Sequence, residues 1–102
     1  MANIKLIKFT SGEEIIGNIV DTKDDSYTIK EGVTLVYHQT KEGTVSVGFS
    51  PFMPYSTGNI DVSKASIAGV ADVKKELLNE YNRIYGSGIV LAGANDAEFK
   101  AK

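Results

Sequence analysis

Along the first seventy positions apolar residues recur in short runs with a period of two, broken by glycine-containing turns, and a helical period begins only after Asp72. Residues 4–9 and 14–21 predict a hairpin around the polar turn Thr10, Ser11, Gly12 and Glu13. Both runs are apolar on both faces: Ile4 and Leu6 oppose Ile7 and Phe9, while Ile15 and Ile19 oppose Ile16 and Val20. A sheet with one solvated face does not need this, whereas a curled sheet or one covered by a partner does. After a polar turn over 22–26, the third strand alternates, with Tyr27, Ile29, Val33, Leu35 and Tyr37 on one face and Thr28, Lys30, Thr34 and His38 on the other. Gly17, Gly32 and Gly48 stand inside the second, third and fourth strands and predict bulges or bends. In the fourth strand Val45, Val47 and Phe49 alternate with Thr44, Ser46 and Gly48 until Pro51 and Pro54, which lack an N–H for the ladder, interrupt it and expose Phe52 and Tyr55. Strand character resumes over 60–62, residues 63–65 predict a turn or bulge, and 66–71 predict the last strand. The expected architecture is mainly β: five antiparallel strands, the fourth interrupted, bent into a small barrel.

Past Asp72, the residues Val73, Leu77, Tyr81, Ile84 and Tyr85 recur at helical spacing, while Lys74, Lys75, Glu80 and Arg83 face away. Asp72 suits the N-cap and Gly86 the C′ position, which predicts a C-terminal helix of about four turns covering one open end of the barrel. The barrel and helix together occupy 1–86. Residues 87–102, rich in Gly and Ala, read as a flexible tail whose 89–91 segment is able to add to a neighbouring sheet edge.

Composition narrows the function classes more than it selects one. The 102 residues suit a single domain, and one so small gains stability by oligomerising. The lack of cysteine removes disulfides, thiolate metal sites and cysteine nucleophiles together, and fits a reducing cytoplasm. No run approaches the roughly 20 apolar residues of a membrane helix, and MANIKLIKF has no signal-peptide core, so a cytoplasmic protein without membrane contact is expected. With 11 basic and 13 acidic residues the net charge is −2, and Arg83 is the one arginine. No basic field draws the chain to nucleic acid, DNA is not expected as a partner, and RNA binding has to be local or multiplied by symmetry.

Certain residues carry a family resemblance. Five short bent strands, with Ile15, Ile16, Gly17, Asn18 and Ile19 in the second, resemble the Sm and Sm-like (LSm) family, the SH3-like small barrels that include the bacterial RNA chaperone Hfq. The resemblance covers residues 3–71. Gly17 and Ile19 match the hydrophobic-x-Gly-x-hydrophobic pattern of that family's second strand, and Asp25, Ser26, Tyr27 and Thr28 are similar to its acidic turn, with Thr28 in place of the usual asparagine. The family's second motif, a basic and a small residue before the last strand, is matched by Ser63, Lys64, Ala65, Ser66 and Ile67; Gly58, Asn59 and Ile60 offer another alignment. The family's N-terminal helix is missing and a C-terminal helix stands instead, a combination which, with FSPF and YGSGIV, is similar to Sm-like proteins of marine cyanophages and ocean metagenomes. The resemblance implies a homo-oligomeric ring of about five to seven copies, joined fourth strand to last strand. It implies single-stranded RNA as the partner, bound through Tyr27, Thr28 and Lys64 around a pore, with a role in RNA processing or chaperoning.

Each of these residues also has a plainer reading. Tyr27 opens an apolar face and suits core packing as well as base stacking. Lys64 in a turn suits a solvated cation. Phe52 and Tyr55 suit subunit-interface anchors. Glu13 with Glu14 and Asp24 with Asp25 are adjacent, so on strands they point to opposite faces and make poor acid–base pairs. The lone His38 lacks the companions of a metal or catalytic site, and GSGIVLAG lacks the Gly-Lys-Ser/Thr ending of a phosphate loop. No enzyme, cofactor or metal is expected. An RNA-binding ring and a protein-interaction scaffold on the same ring remain as the two functions.

Overall fold

The structure is a computed structural model that describes residues 3–85. Its elements are β1 (Ile4–Phe9), β2 (Glu14–Thr22), β3 (Ser26–Gln39), β4 (Val45–Pro51), β5 (Ile60–Ser63), a single 3-10 turn (Lys64–Ser66), β6 (Ile67–Asp72) and α1 (Lys75–Tyr85). The expected β1–β2 hairpin is present, turned by Gly12 at φ 97°. The sheet is antiparallel in the order β4-β3-β2-β1-β6, with β5 beside β3. Two expectations are corrected. Among the described residues there are six strands, not five, and the sheet does not close into a barrel: β4 and β6 end its path. The reason for six lies in the excursion opened by Pro51. It separates β4, which pairs with residues 33–39 of β3, from β5, which pairs with residues 26–29 of the same strand.

The apolar residues on both faces of β1 and β2 fill two cores. Ile7, Phe9, Ile15, Ile19, Ile29 and Val62 pack inside the curl of the sheet. Ile16, Val33, Leu35, Phe49, Tyr81 and Ile84 pack between the sheet's other face and α1. The third strand therefore does not keep one apolar face. Asn18 pairs with Lys30 but Ile16 pairs with Val33, so Glu31 and Gly32 together oppose the single Gly17. This bulge inserts one residue and turns the strand over, sending Tyr27 and Ile29 into the first core and Val33 and Leu35 into the second. Glu31 adopts a left-handed φ of 58° to make it. A Cβ on Gly32 would lie 3.1 Å from the Ile29 side chain and one on Gly17 3.3 Å from it, so both glycines make room for Ile29. A second shift leaves an extra residue on β2 between Ile19 and Asp21, and Val20 is exposed there. Gly48 marks no bulge, because β3 and β4 stay in register from Val33↔Pro51 to Gln39↔Val45.

The helix buries the face that its period predicts, with Leu77, Tyr81, Ile84 and Tyr85 in the second core or against it, and Val73, just ahead of the helix, packs there too. It starts later than expected, and Asp72 is not its cap. That residue ends β6, paired with Lys5, whose ammonium lies 2.5 Å from its carboxylate. Gly86 and the 87–102 segment lie outside the described residues.

Candidate nucleic-acid interface

Two turns distant in sequence meet at one end of the sheet. Pairing of β5 with the start of β3 brings the β2–β3 turn against the 3-10 turn, and the Lys64 N–H donates to the Asp25 carbonyl at 2.9 Å. Each turn is also tied internally. The Lys23 N–H donates to the Ser26 carbonyl at 2.8 Å. The Ser63 hydroxyl accepts from the Ala65 N–H at 3.2 Å, and the Ser66 hydroxyl donates to the Ser63 carbonyl at 2.8 Å. Short polar side chains thus satisfy the backbone groups that so tight a turn leaves open.

Tyr27 and Lys64 come together at this junction. The Lys64 ammonium lies over the Tyr27 ring, 4.9 Å from its centroid, in a cation–π contact. Tyr27 is half-buried and packs on the first core, so its ring is fixed from one side and meets the lysine on another. The ring is thus in contact with both the core and Lys64.

Thr28 is placed differently. As the next strand residue it faces the opposite way, and its hydroxyl donates to the Asp61 carboxylate at 2.6 Å across the Thr28↔Asp61 pair. The Lys23 ammonium lies 3.5 Å from both Asp61 oxygens. The Thr28 hydrogen bond first, and the Lys23 charge second, hold the Asp61 carboxyl below the usual carboxylate range. Thr28 therefore belongs to a polar cluster on the outer side of the Tyr27–Lys64 pair. Lys23 and Asp61 were not singled out from the sequence; only the β3–β5 register, set by the interruption of the fourth strand, brings them there.

Local charge is mixed, since Lys23 and Lys64 stand among Asp24, Asp25 and Asp61. The junction offers an aromatic face with one cation on it, not a phosphate-binding field. In the alternative alignment, Gly58 turns the chain into β5 at φ 75° and Ile60 pairs with Ile29. Phe52 stacks on Phe9 with centroids 5.7 Å apart and donates its N–H to the Gly32 carbonyl, so it belongs to the fold. Tyr55, 98% exposed, and Met53 stand out from the same excursion. His38 is exposed beside Ser46, and among the described residues no three His, Asp or Glu side chains gather as a metal site. No helix among them is long and apolar enough to cross a membrane. No protein-family model and no curated protein matches this chain.

Proposed function

We propose that this chain is an Sm-like protein that assembles into a ring of about five to seven copies and binds single-stranded RNA at the junction of its two turns. The observation that carries the reading is the Lys64 ammonium over the Tyr27 ring, which joins a stacking surface to a cation across a gap of nearly forty residues. Base stacking on an aromatic ring contributes about 1 to 3 kcal/mol per base and tolerates any sequence. Lys64 supplies the charge for the adjoining phosphate, and repetition around the ring multiplies a site that is weak in one copy. The carboxylates of Asp24, Asp25 and Asp61 make this affinity depend on stacking and repetition more than on net charge.

Assembly is supported by the state of the sheet's ends. Among the described residues neither β4 nor β6 pairs on its outer side, and an unpaired edge in a solitary protein is usually guarded by charge. Here residues 44–60 hold no charged side chain, and β6 holds one, Asp72 at its end. Val45 is 60% exposed and Val70 40%. Edges of this kind suit coverage by another copy.

Native mass spectrometry with short oligouridine and oligoadenine at two salt concentrations tests the proposal. The expected species is a closed oligomer holding one RNA, less occupied at high salt. Lys64→Glu is expected to abolish RNA uptake and leave the oligomer intact. A monomeric parent would remove the ring, and undiminished RNA uptake by Lys64→Glu would remove the site. An oligomer indifferent to RNA would favour the scaffold function instead, with the exposed Met53 and Tyr55 as its contact surface.

A further inference from the structure

On the face of the sheet that α1 covers, a groove of about 300 Å³ remains between the helix and β4. Val45, Val47, Phe49 and Leu77 form its apolar side, and Glu76 and Glu80 stand along the helix rim. Phe49 is buried, Val47 and Leu77 are half-buried and Val45 is 60% exposed, so the second core runs on into the groove and stops short of closing. We propose that Ile89, Val90 and Leu91 of the same chain complete that core by seating in this groove.

Three observations lead to this occupant. The first is composition: Ile89, Val90 and Leu91 are the one run of three consecutive large aliphatic residues in the chain. Among the described residues, exposed large apolar side chains stand singly, at Val20, Tyr37, Val45 and Val70, or flank a proline, at Met53 and Tyr55. Their scatter gives a second copy no comparable run to insert. The second observation is reach. Tyr85, where the described helix ends, packs against the same core as Phe49 and Leu77. Leu77 lies about 12 Å back along the helix axis at 1.5 Å per residue. The steps from Tyr85 to Ile89 span up to about 13 Å when extended. A chain that reverses directly after Tyr85 thus delivers the 89–91 run alongside Leu77, and Gly86 and Gly88 lack the Cβ that would hinder the reversal. The third observation is charge. Residues 86–95 carry none, so the segment brings no carboxylate against Glu76 and Glu80, and the N–H groups of an extended backbone can donate to them.

The seat is made by side chains on the helix face and not by the outer backbone groups of β4. It therefore forms in a single copy and does not depend on the assembly proposed above.

Paramagnetic NMR on the full chain reads the seat. Because the chain has no cysteine, Ala92→Cys places a single nitroxide label next to the run. The methyl signals of Val45, Val47 and Leu77 are expected to lose most of their intensity to the label, while Ile7, buried in the other core, keeps its own. Adding Val90→Asp and Leu91→Asp to the labelled chain is expected to return the three signals, because a carboxylate is costly in an apolar groove. An unchanged Ile7 signal in that variant reports that the fold is kept. Unaffected groove signals before the aspartates are added, or broadening that survives them, would overturn the seat. So would broadening that reaches Ile7 equally, the mark of contact without a seat. A sample with the label and the isotopes on different chains, refolded together from urea, separates the source. Full groove signals are expected there, and broadening would give the seat to a neighbouring copy and overturn the intramolecular assignment.

Discussion

Tyr37 projects from β3 with 55% of its surface exposed, and its hydroxyl donates to the Glu14 carboxylate on β2. That hydrogen bond, helped by partial burial and by the negative charge of Glu14, pushes the phenol up to about 12. A raised value means that the folded chain holds this proton more tightly than the unfolded one. The contribution to stability is therefore full below pH 10, the ordinary value, and is lost as pH rises through about 12. Ultraviolet titration is expected to show this tyrosine ionising late, and Glu14→Gln is expected to bring it back toward 10. An unchanged titration in that variant would mean that burial and not Glu14 holds the proton. The pair was not legible in the sequence, where Tyr37 reads as one more member of an apolar face. The bulge at Glu31 changes which side that face is on, and local alternation carries no sign of a residue inserted between Lys30 and Val33 beyond the glycine at 32.

The helix and the bulge form a unit at the scale of elements. Tyr81 is buried, and its hydroxyl donates to the Glu31 carbonyl at 2.6 Å, with the Lys30 carbonyl at 3.4 Å. Burial first, then the nearby Glu31 charge and Tyr85, push its phenol well above the ordinary range. The helix thus does more than cover apolar surface: it supplies a donor to a carbonyl that the bulge has turned out of the ladder. Tyr81→Phe keeps the ring and removes that donor, and is expected to cost about 1 to 2 kcal/mol. Urea unfolding checks this, with a lower midpoint at an unchanged slope. A variant as stable as the parent would mean that the strands hold the bulge unaided. Helix position and buried face were readable because five apolar residues at helical spacing have few other arrangements. Its start was not, since Asp72 has two good partners available, a helix end and Lys5, and only the folded sheet shows that the ladder takes it. The candidate site was readable in part. Tyr27 and Lys64 were paired through a family resemblance and lie together, whereas Lys23 and Asp61 depend on strand register that no local pattern specifies.

At the scale of the whole molecule, β3, like β1 and β2, lends residues to both cores. Ile29 lies in one and Val33 and Leu35 in the other, and the strand pairs with β2, β4 and β5. Neither core is able to dissolve without releasing ladder bonds that support the other. A single cooperative transition is expected, in which methyl NMR signals of Ile7 inside the curl and Ile16 under the helix are lost at the same urea concentration. Two separated midpoints would show that the cores are independent units. The β1–β6 pairing has a different consequence, which concerns the order of synthesis. Lys5 and Asp72 are 67 residues apart, whereas β1 to β4 follow one another as neighbours in the sheet. A chain growing from the ribosome can close those neighbouring pairs as each strand emerges, but β6 docks only after nearly all of the described sequence has been made. β6 is therefore the last strand of the sheet to be made, with α1 following it among the described residues, and until it docks β1 lacks its partner on that side.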